Sequence, residues 1–272
     1  MDRIKRKLFI SICCCLLSLF FLILAPTYAD EIQSIGDVWK DPHLGMEMVW
    51  VPGGCYQMGC GDWTSRCWED ELPVHEVCVD GFWMGTFEVT FDQYDRFCEE
   101  TAREKPVDQE GWGRGLQPAT NMTWNDAVAF AKWLSGKTGK HFRLPTEAEW
   151  RYACRSGGKP EMYAGGSDVD RLAWYRQNSD LRAHPVGTKE PNGLGLYDMS
   201  GNVNEWCEDL YSPDAYKVHS LNNPKYSSSG DERVMRRGNF MDPSRRVRCS
   251  TRDKASPAIW HYAIGFRLVR TK

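Results

Sequence analysis

Arg143-Leu-Pro-Thr-Glu-Ala-Glu-Trp150 carries a complete helix start. Thr146 can accept from the amides of the first turn, while Glu149, three residues on, reaches back to the cap. Ala148, Trp150, Ala153 and Cys154 then offer packing groups. The same device recurs upstream, with Thr123 before Asp126 and Thr90 before Gln93. Behind Thr123 the apolar positions Trp124, Ala127, Val128, Ala131 and Leu134 fall on one helical face, and Gly136 and Gly139 end the run. The spacing therefore predicts a group of capped helices in the middle of the chain. From Ser156 onward helical periodicity stops. Gly, Pro, Asn, Asp and Ser dominate there, around short apolar pieces such as Leu194 to Tyr197 and Gly265 to Val269. So long an irregular stretch in a compact domain needs something to hold it, and disulfides or bound cations are the candidates.

Toward the N-terminus the pattern is that of strands. Met48-Val49-Trp50-Val51 runs into the turn Pro52-Gly53-Gly54, and Tyr56-Gln57-Met58-Gly59 continues it. His75 to Asp80 alternates polar and apolar, as a half-buried strand should. The two segments are expected to pair antiparallel, with the Cys60 to Cys67 loop between them. Asp30 to Pro42 is polar and reads as a loose leader, so residues 30–45 are set apart and 46–272 read as one domain.

The first residues have the layout of an export signal. Arg3, Lys5, Arg6 and Lys7 precede an unbroken apolar run from Leu8 to Ala25, and Thr27-Tyr28-Ala29 gives a small-residue ending. Residues 1–29 are read as a signal peptide cleaved after Ala29 or as an uncleaved anchor, since the run lies at the short edge of what spans a bilayer. Either way the rest of the chain is exported, periplasmic or extracellular. The formal charge is −3, and the segment before residue 8 contributes +3, so the remainder carries −6. With no basic run in that remainder, composition argues against a nucleic-acid partner. Contact with a membrane is expected only through the N-terminal segment.

Of the 11 cysteines, Cys13, Cys14 and Cys15 lie in that segment. The others are Cys55, Cys60, Cys67, Cys78, Cys98, Cys154, Cys207 and Cys249, an even set that reads as a disulfide framework in an exported chain. A metal site from Cys55, Cys60, Cys67 and Cys78 is the competing reading, but the spacing lacks a zinc knuckle.

Several stretches match one family in order. They are Val51-Pro-Gly-Gly-Cys-Tyr-Gln-Met-Gly59, Phe87-Glu-Val-Thr90, Trp124-Asn-Asp-Ala127, Arg143 to Trp150, Pro191 to Met199, Gly201-Asn-Val-Asn-Glu-Trp206, Arg237-Gly238 and Gly265-Phe-Arg267. The chain resembles the formylglycine-generating enzyme, or sulfatase-modifying factor, family over about residues 46 to 270. The resemblance implies an α+β, C-type-lectin-like fold, low in regular secondary structure. It also implies an activity, because the family's enzymes oxidise a sulfatase cysteine to formylglycine with oxygen and copper. Two closely spaced thiols after an Arg-Gly turn bind the copper, and thiolates are the soft ligands that favour Cu(I). Here the turn reads Arg237-Gly238-Asn239-Phe240-Met241-Asp242, and Asp242 stands where the first cysteine belongs. Pro243 to Arg248 is shorter than the family's segment and contains no cysteine. Asn239 replaces the family's Ser and Asn204 its pocket Trp. A carboxylate cannot replace a thiolate toward Cu(I), so neither copper nor formylglycine synthesis is expected.

The supporting parts persist. The resemblance implies a Cys154–Cys249 disulfide. Of the remaining cysteines, Cys55 with Cys78 and Cys60 with Cys67 are the preferred pairs, which leaves Cys98 with Cys207. The resemblance also implies calcium, through the side chains of Asp198 and Glu205 and the backbone carbonyls of Gly201 and Val203; hard oxygen ligands with two carboxylates suit that ion. The alternative is a loop held by Asn202 and backbone hydrogen bonds. A second family calcium site, near Leu172 to Asp180, is not evident.

Two functions follow. The first is a module that binds a protein or a small ligand and presents residues 236–262. There Asn239, Phe240, Asp242, Arg245, Arg246, Ser250, Arg252, Trp260, His261 and Tyr262 are the display candidates, rich in the Arg and aromatic side chains that dominate recognition. This layout is similar to the variable proteins of diversity-generating retroelements. The second is an oxidoreductase with non-cysteine chemistry, for which Asp242, His261, Arg252 and Glu205 are the polar groups to hand. None of these forms a triad or an acid–base pair by spacing, so no catalytic residue is assigned.

Overall fold

The computed structural model describes residues 33–271 except Ser65, Gln109 and Arg237. Residues 1–29, read above as a signal or an anchor, lie outside the described residues. Among those that are described, no helix is long and apolar enough to cross a membrane.

The first strands do not form one ribbon. β1 (Val38–Lys40) and β2 (Glu47–Val51) enter a five-stranded sheet ordered β1-β2-β5-β11-β6, with β5 at Phe82–Gly85, β6 at His141–Arg143 and β11 at Val269–Thr271. β3 (Gly54–Met58) leaves it at the Pro52-Gly53 turn and pairs, among the described residues, only with β4 (His75–Val79). The antiparallel partner of His75 to Asp80 is thus the Tyr56 segment, while Met48 to Val51 belongs to the main sheet. The leader boundary is corrected too. Val38 pairs with Val49 and Asp41 is buried, so residues 38–45 belong to the folded domain. Their polar composition hid this, because an edge strand buries few side chains.

Both faces of the main sheet are covered. Along β2, Met48 and Trp50 face one core with Phe97, Phe130 and Leu134, whereas Val49 and Val51 face another with Tyr56, Trp150 and Ala153. Helices α1 (Phe91–Thr101) and α2 (Trp124–Thr138) close the first face, and α3 (Glu147–Cys154) packs in the second. All three helices start on the expected threonines, and each carries the reciprocal capping bonds.

The second half holds two short helices, α4 (Val169–Leu172) and α5 (Ala215–Val218). It also holds a second sheet ordered β10-β7-β8-β9, with β7 at Asn204–Leu210, β8 at Arg233–Arg236, β9 at Arg252–Ala255 and β10 at Ile264–Gly265. The mixture is α+β, as expected, and long connections remain between the strands. Disulfides join Cys55 to Cys78, Cys60 to Cys67 and Cys154 to Cys249. The four N-terminal cysteines are therefore not a thiolate metal site. Cys98 and Cys207 are both thiols, contrary to the expected pair. They sit in the two different cores, Cys98 on α1 and Cys207 on β7, with the main sheet between those cores.

Candidate functional site

The turn that would carry the copper thiols is closed by its own polar groups. The Asn204 Oδ1 at the start of β7 accepts from the Gly238 amide at 3.0 Å and from Asn239 Nδ2 at 3.3 Å. The Asn239 amide in turn donates to Asp242 Oδ2, and Asn239 Oδ1 accepts from the Met241 amide. The Arg246 guanidinium lies 3.8 Å from Asp242 Oδ1. Asn204, Asn239 and Asp242 are all buried. The substituted positions thus come together and complete one another's hydrogen bonds.

The display candidates divide sharply. Phe240 is fully buried against Trp112, Val203 and Tyr262, so it is a core residue and not a display residue. Arg252 is corrected in the same way: its Nε and Nη2 bond both Glu147 oxygens, at 2.7 and 2.9 Å, beneath the surface. Ser250 is buried on Arg248. Asn239 and Asp242 are corrected to turn-closing groups. His261 and Tyr262 are half-buried and stacked, and His261 Nδ1 already accepts from the Ala263 amide. Burial lowers the His261 pKa further from a base's range, with Glu110 opposing. Only Arg245 and Trp260 are well exposed, and Arg246 is partly so. As alternative catalysts, Asp242, His261, Arg252 and Glu205 are engaged in separate contacts.

Trp260, 53% exposed, overhangs a groove of about 380 Å³ that sequence reasoning missed. Its other walls come from the α1–α2 connection and the helix ends: Tyr94, Arg103, Pro106, Val107 and Asn121. Asn121 sits in the left-handed region, and its Nδ2 donates to the Val107 carbonyl, which fixes the groove's floor. Connections of this kind carry no periodic signal, so the sequence gives no warning that they meet Trp260.

The loop expected to hold calcium can be judged by its charges. Glu88, Asp198 and Glu205 are buried together, and Arg267 is the guanidinium that faces them. Glu205 is occupied: Arg267 Nε and Nη2 bond its two oxygens at 2.7 Å, and Trp150 Nε1 donates to Oε2. Asp198 Oδ2 accepts from the Gly187 amide, but Oδ1 is buried without a hydrogen-bond partner among the described residues. Burial raises the Asp198 carboxyl to about 6, and Glu205 adds to the effect against the pull of Arg267. Burial, then Asp198 and Glu205, also raise Glu88. Surplus buried carboxylate with an orphaned oxygen fits a hard divalent cation. Asp198 and the carbonyls of Gly201 and Val203 would hold it, with Glu88 adding negative charge. Gly201 must be glycine, since a Cβ there would strike the Trp174 backbone. Asn202 also holds the loop, through Glu88 and the His184 backbone. Glu88 was visible in Phe87-Glu-Val-Thr90, but nothing local marks it as a neighbour of Asp198.

A family model described as the sulfatase-modifying factor enzyme 1-like domain matches residues 35–272. The chain belongs to this family. It is 35% identical to the formylglycine-generating enzyme of Streptomyces coelicolor, covering 83% of this chain and 90% of that one. It is 32% identical to the serine/threonine-protein kinase Pkn1 of Chlamydia trachomatis serovar L2, covering 90% of this chain but 41% of the kinase. Among solved structures, PvdO from Pseudomonas aeruginosa superposes with a TM-score of 0.79 at 29% identity, covering 88% of this chain and all of that one. The sulfatase-modifying-factor fold is thus kept in a chain whose turn at residues 238–242 is closed by Asn204, Asn239 and Asp242.

Proposed function

We propose that this chain is an exported sulfatase-modifying-factor domain that binds a ligand and does not make formylglycine. The observation that carries this is the closed turn. Asp242 stands at the thiol position and the two asparagines fill the pocket with mutual hydrogen bonds, so the turn offers no thiolate for Cu(I), and its one soft atom, Met241 Sδ, accepts from the Tyr262 hydroxyl. The binding surface is the Trp260 groove, whose volume is in the range of small-ligand sites and whose rim is an exposed indole. Calcium serves as a structural ion at Asp198, not as a reagent.

The test is to incubate the purified domain, loaded with copper, with a Cys-x-Pro-x-Arg peptide and follow aldehyde formation by mass spectrometry. No conversion is expected, and turnover would overturn the proposal. A fragment screen by protein-observed NMR checks the surface. Perturbations should gather at Tyr94, Asn121 and Trp260 and vanish in Trp260→Ala; hits gathered elsewhere would refute the groove.

A further inference from the structure

A second face of the molecule is built from arginine. Arg66, Arg176 and Arg182, in loops, and Arg245, in the single 3-10 turn Ser244–Arg246, are exposed, and Arg246 of that turn is half-exposed, with no lysine among them. Hydrogen bonds bring these loops together. The Arg176 amide donates to the Asp242 carbonyl at 3.0 Å and its Nε to the Met241 carbonyl at 2.7 Å. Ser179 Oγ donates to the Phe240 carbonyl, and the Arg182 amide donates to the Ser179 carbonyl. The buried Arg248 guanidinium ties in the other two loops, donating to the carbonyls of Arg245 at 2.8 Å and Arg66 at 3.4 Å. The side chains of Arg66, Arg182 and Arg245 make no hydrogen bond or ion pair among the described residues. Asp242 in this segment is buried, its carbonyl accepting from the Arg176 amide and its Oδ1 lying 3.8 Å from the Arg246 guanidinium. The exposed acids on the same loops are Asp62, in the Cys60–Cys67 loop with Arg66, and Asp180, two residues before Arg182.

Two features narrow the partner. Guanidinium forks match carboxylates bidentately, and a set made only of arginine on a chain of net −6 outside its N-terminus is a local inversion of charge. Beside Arg182, Leu181 is 58% exposed, at a loop tip where Asp180 and Leu181 are both left-handed. Two consecutive non-glycine residues in that region cost free energy, and here they hold an apolar side chain out among the arginines. A uniform polyanion has no use for Leu181, whereas a polypeptide does. We infer that this face docks an acidic protein segment that carries an apolar residue between its carboxylates. The inference rests on the binding-module reading but uses residues apart from the Trp260 groove.

The experiment is fluorescence polarisation of the domain with a labelled peptide of alternating Glu and Leu, alongside poly-Glu, heparin and phosphatidylglycerol vesicles. Saturable binding of the Glu–Leu peptide is expected. It should weaken tenfold or more in R182E/R245E and several-fold in Leu181→Ser, and should hold in the control K132E/K140E. Poly-Glu should bind more weakly and ignore Leu181→Ser. Unchanged thermal melts would show that the variants fold, since none of these side chains has a partner to lose. Absent peptide binding, or binding indifferent to R182E/R245E, would overturn the inference. So would tighter binding of heparin or vesicles through the same arginines. These outcomes are independent of the copper assay, which tests the binding-module reading itself.

Discussion

Glu147 shows how much one side chain can hold. Its Oε1 accepts from Arg236, Arg252 and Tyr216, and its Oε2 from Arg252, all buried. Burial would push its pKa up, but Arg252 and Arg236 outweigh that and hold it at about 2. Glu147→Gln leaves two buried guanidiniums facing a neutral amide, and removing one partner of such a network costs about 3–5 kcal/mol. A urea titration should therefore show a sharply lower midpoint at an unchanged slope, and a loss below about 1 kcal/mol would refute this account. Reading Arg252 as a display residue failed for a related reason. Its partner lies 105 residues away, so burial of that arginine is set by tertiary contact and not by local pattern. Asp242 and Asn239 were legible as departures from a motif, but their mutual hydrogen bonds were not.

At the scale of elements, local chemistry was readable and long-range pairing was not. The three capping boxes each span four residues, so the sequence contains the whole device. Thr123→Ala removes an acceptor from the Asp126 amide and should cost about 1 kcal/mol in a thermal or urea melt. An unchanged midpoint would mean that packing of α2 alone sets its start. β7 went unread because it is buried on both faces over most of its length, which erases the alternation that marks a strand. The Cys154–Cys249 disulfide links the end of α3 to the loop before β9 across 95 residues. Converting both cysteines to Ala should cost about 2–5 kcal/mol and should loosen the irregular half first, visible as faster amide exchange there. Exchange that quickens equally in α1 and α2 would contradict that division.

For the whole molecule, acidity and cation binding set the conditions of stability. Burial lowers the pKa of His219 to about 4 and also lowers that of His75, which bonds it at 3.1 Å. At His219 the unfolded chain takes up its proton below about pH 6.5 and the folded chain only near 4, so stability is lost as pH falls through that window, and the lowered His75 adds to the loss in the same direction. His219→Gln should flatten the decline. The last expectation concerns calcium, which stabilises the fold only if it binds the native state in preference to the unfolded one. At neutral pH the folded chain keeps Asp198 near Glu88 and Glu205 with an orphaned oxygen, and a divalent cation relieves that repulsion. An ion present at a hundred times its Kd would add about 2.7 kcal/mol. Thermal melts in calcium chloride against a chelator should therefore separate by several degrees. Magnesium should do less, since its small octahedral shell tolerates such a loop poorly. Asp198→Asn should collapse the separation, because it neutralises the carboxylate that holds the ion. If the two melts coincide in the parent protein, Asn202 and the Arg267–Glu205 pair hold the loop without an ion.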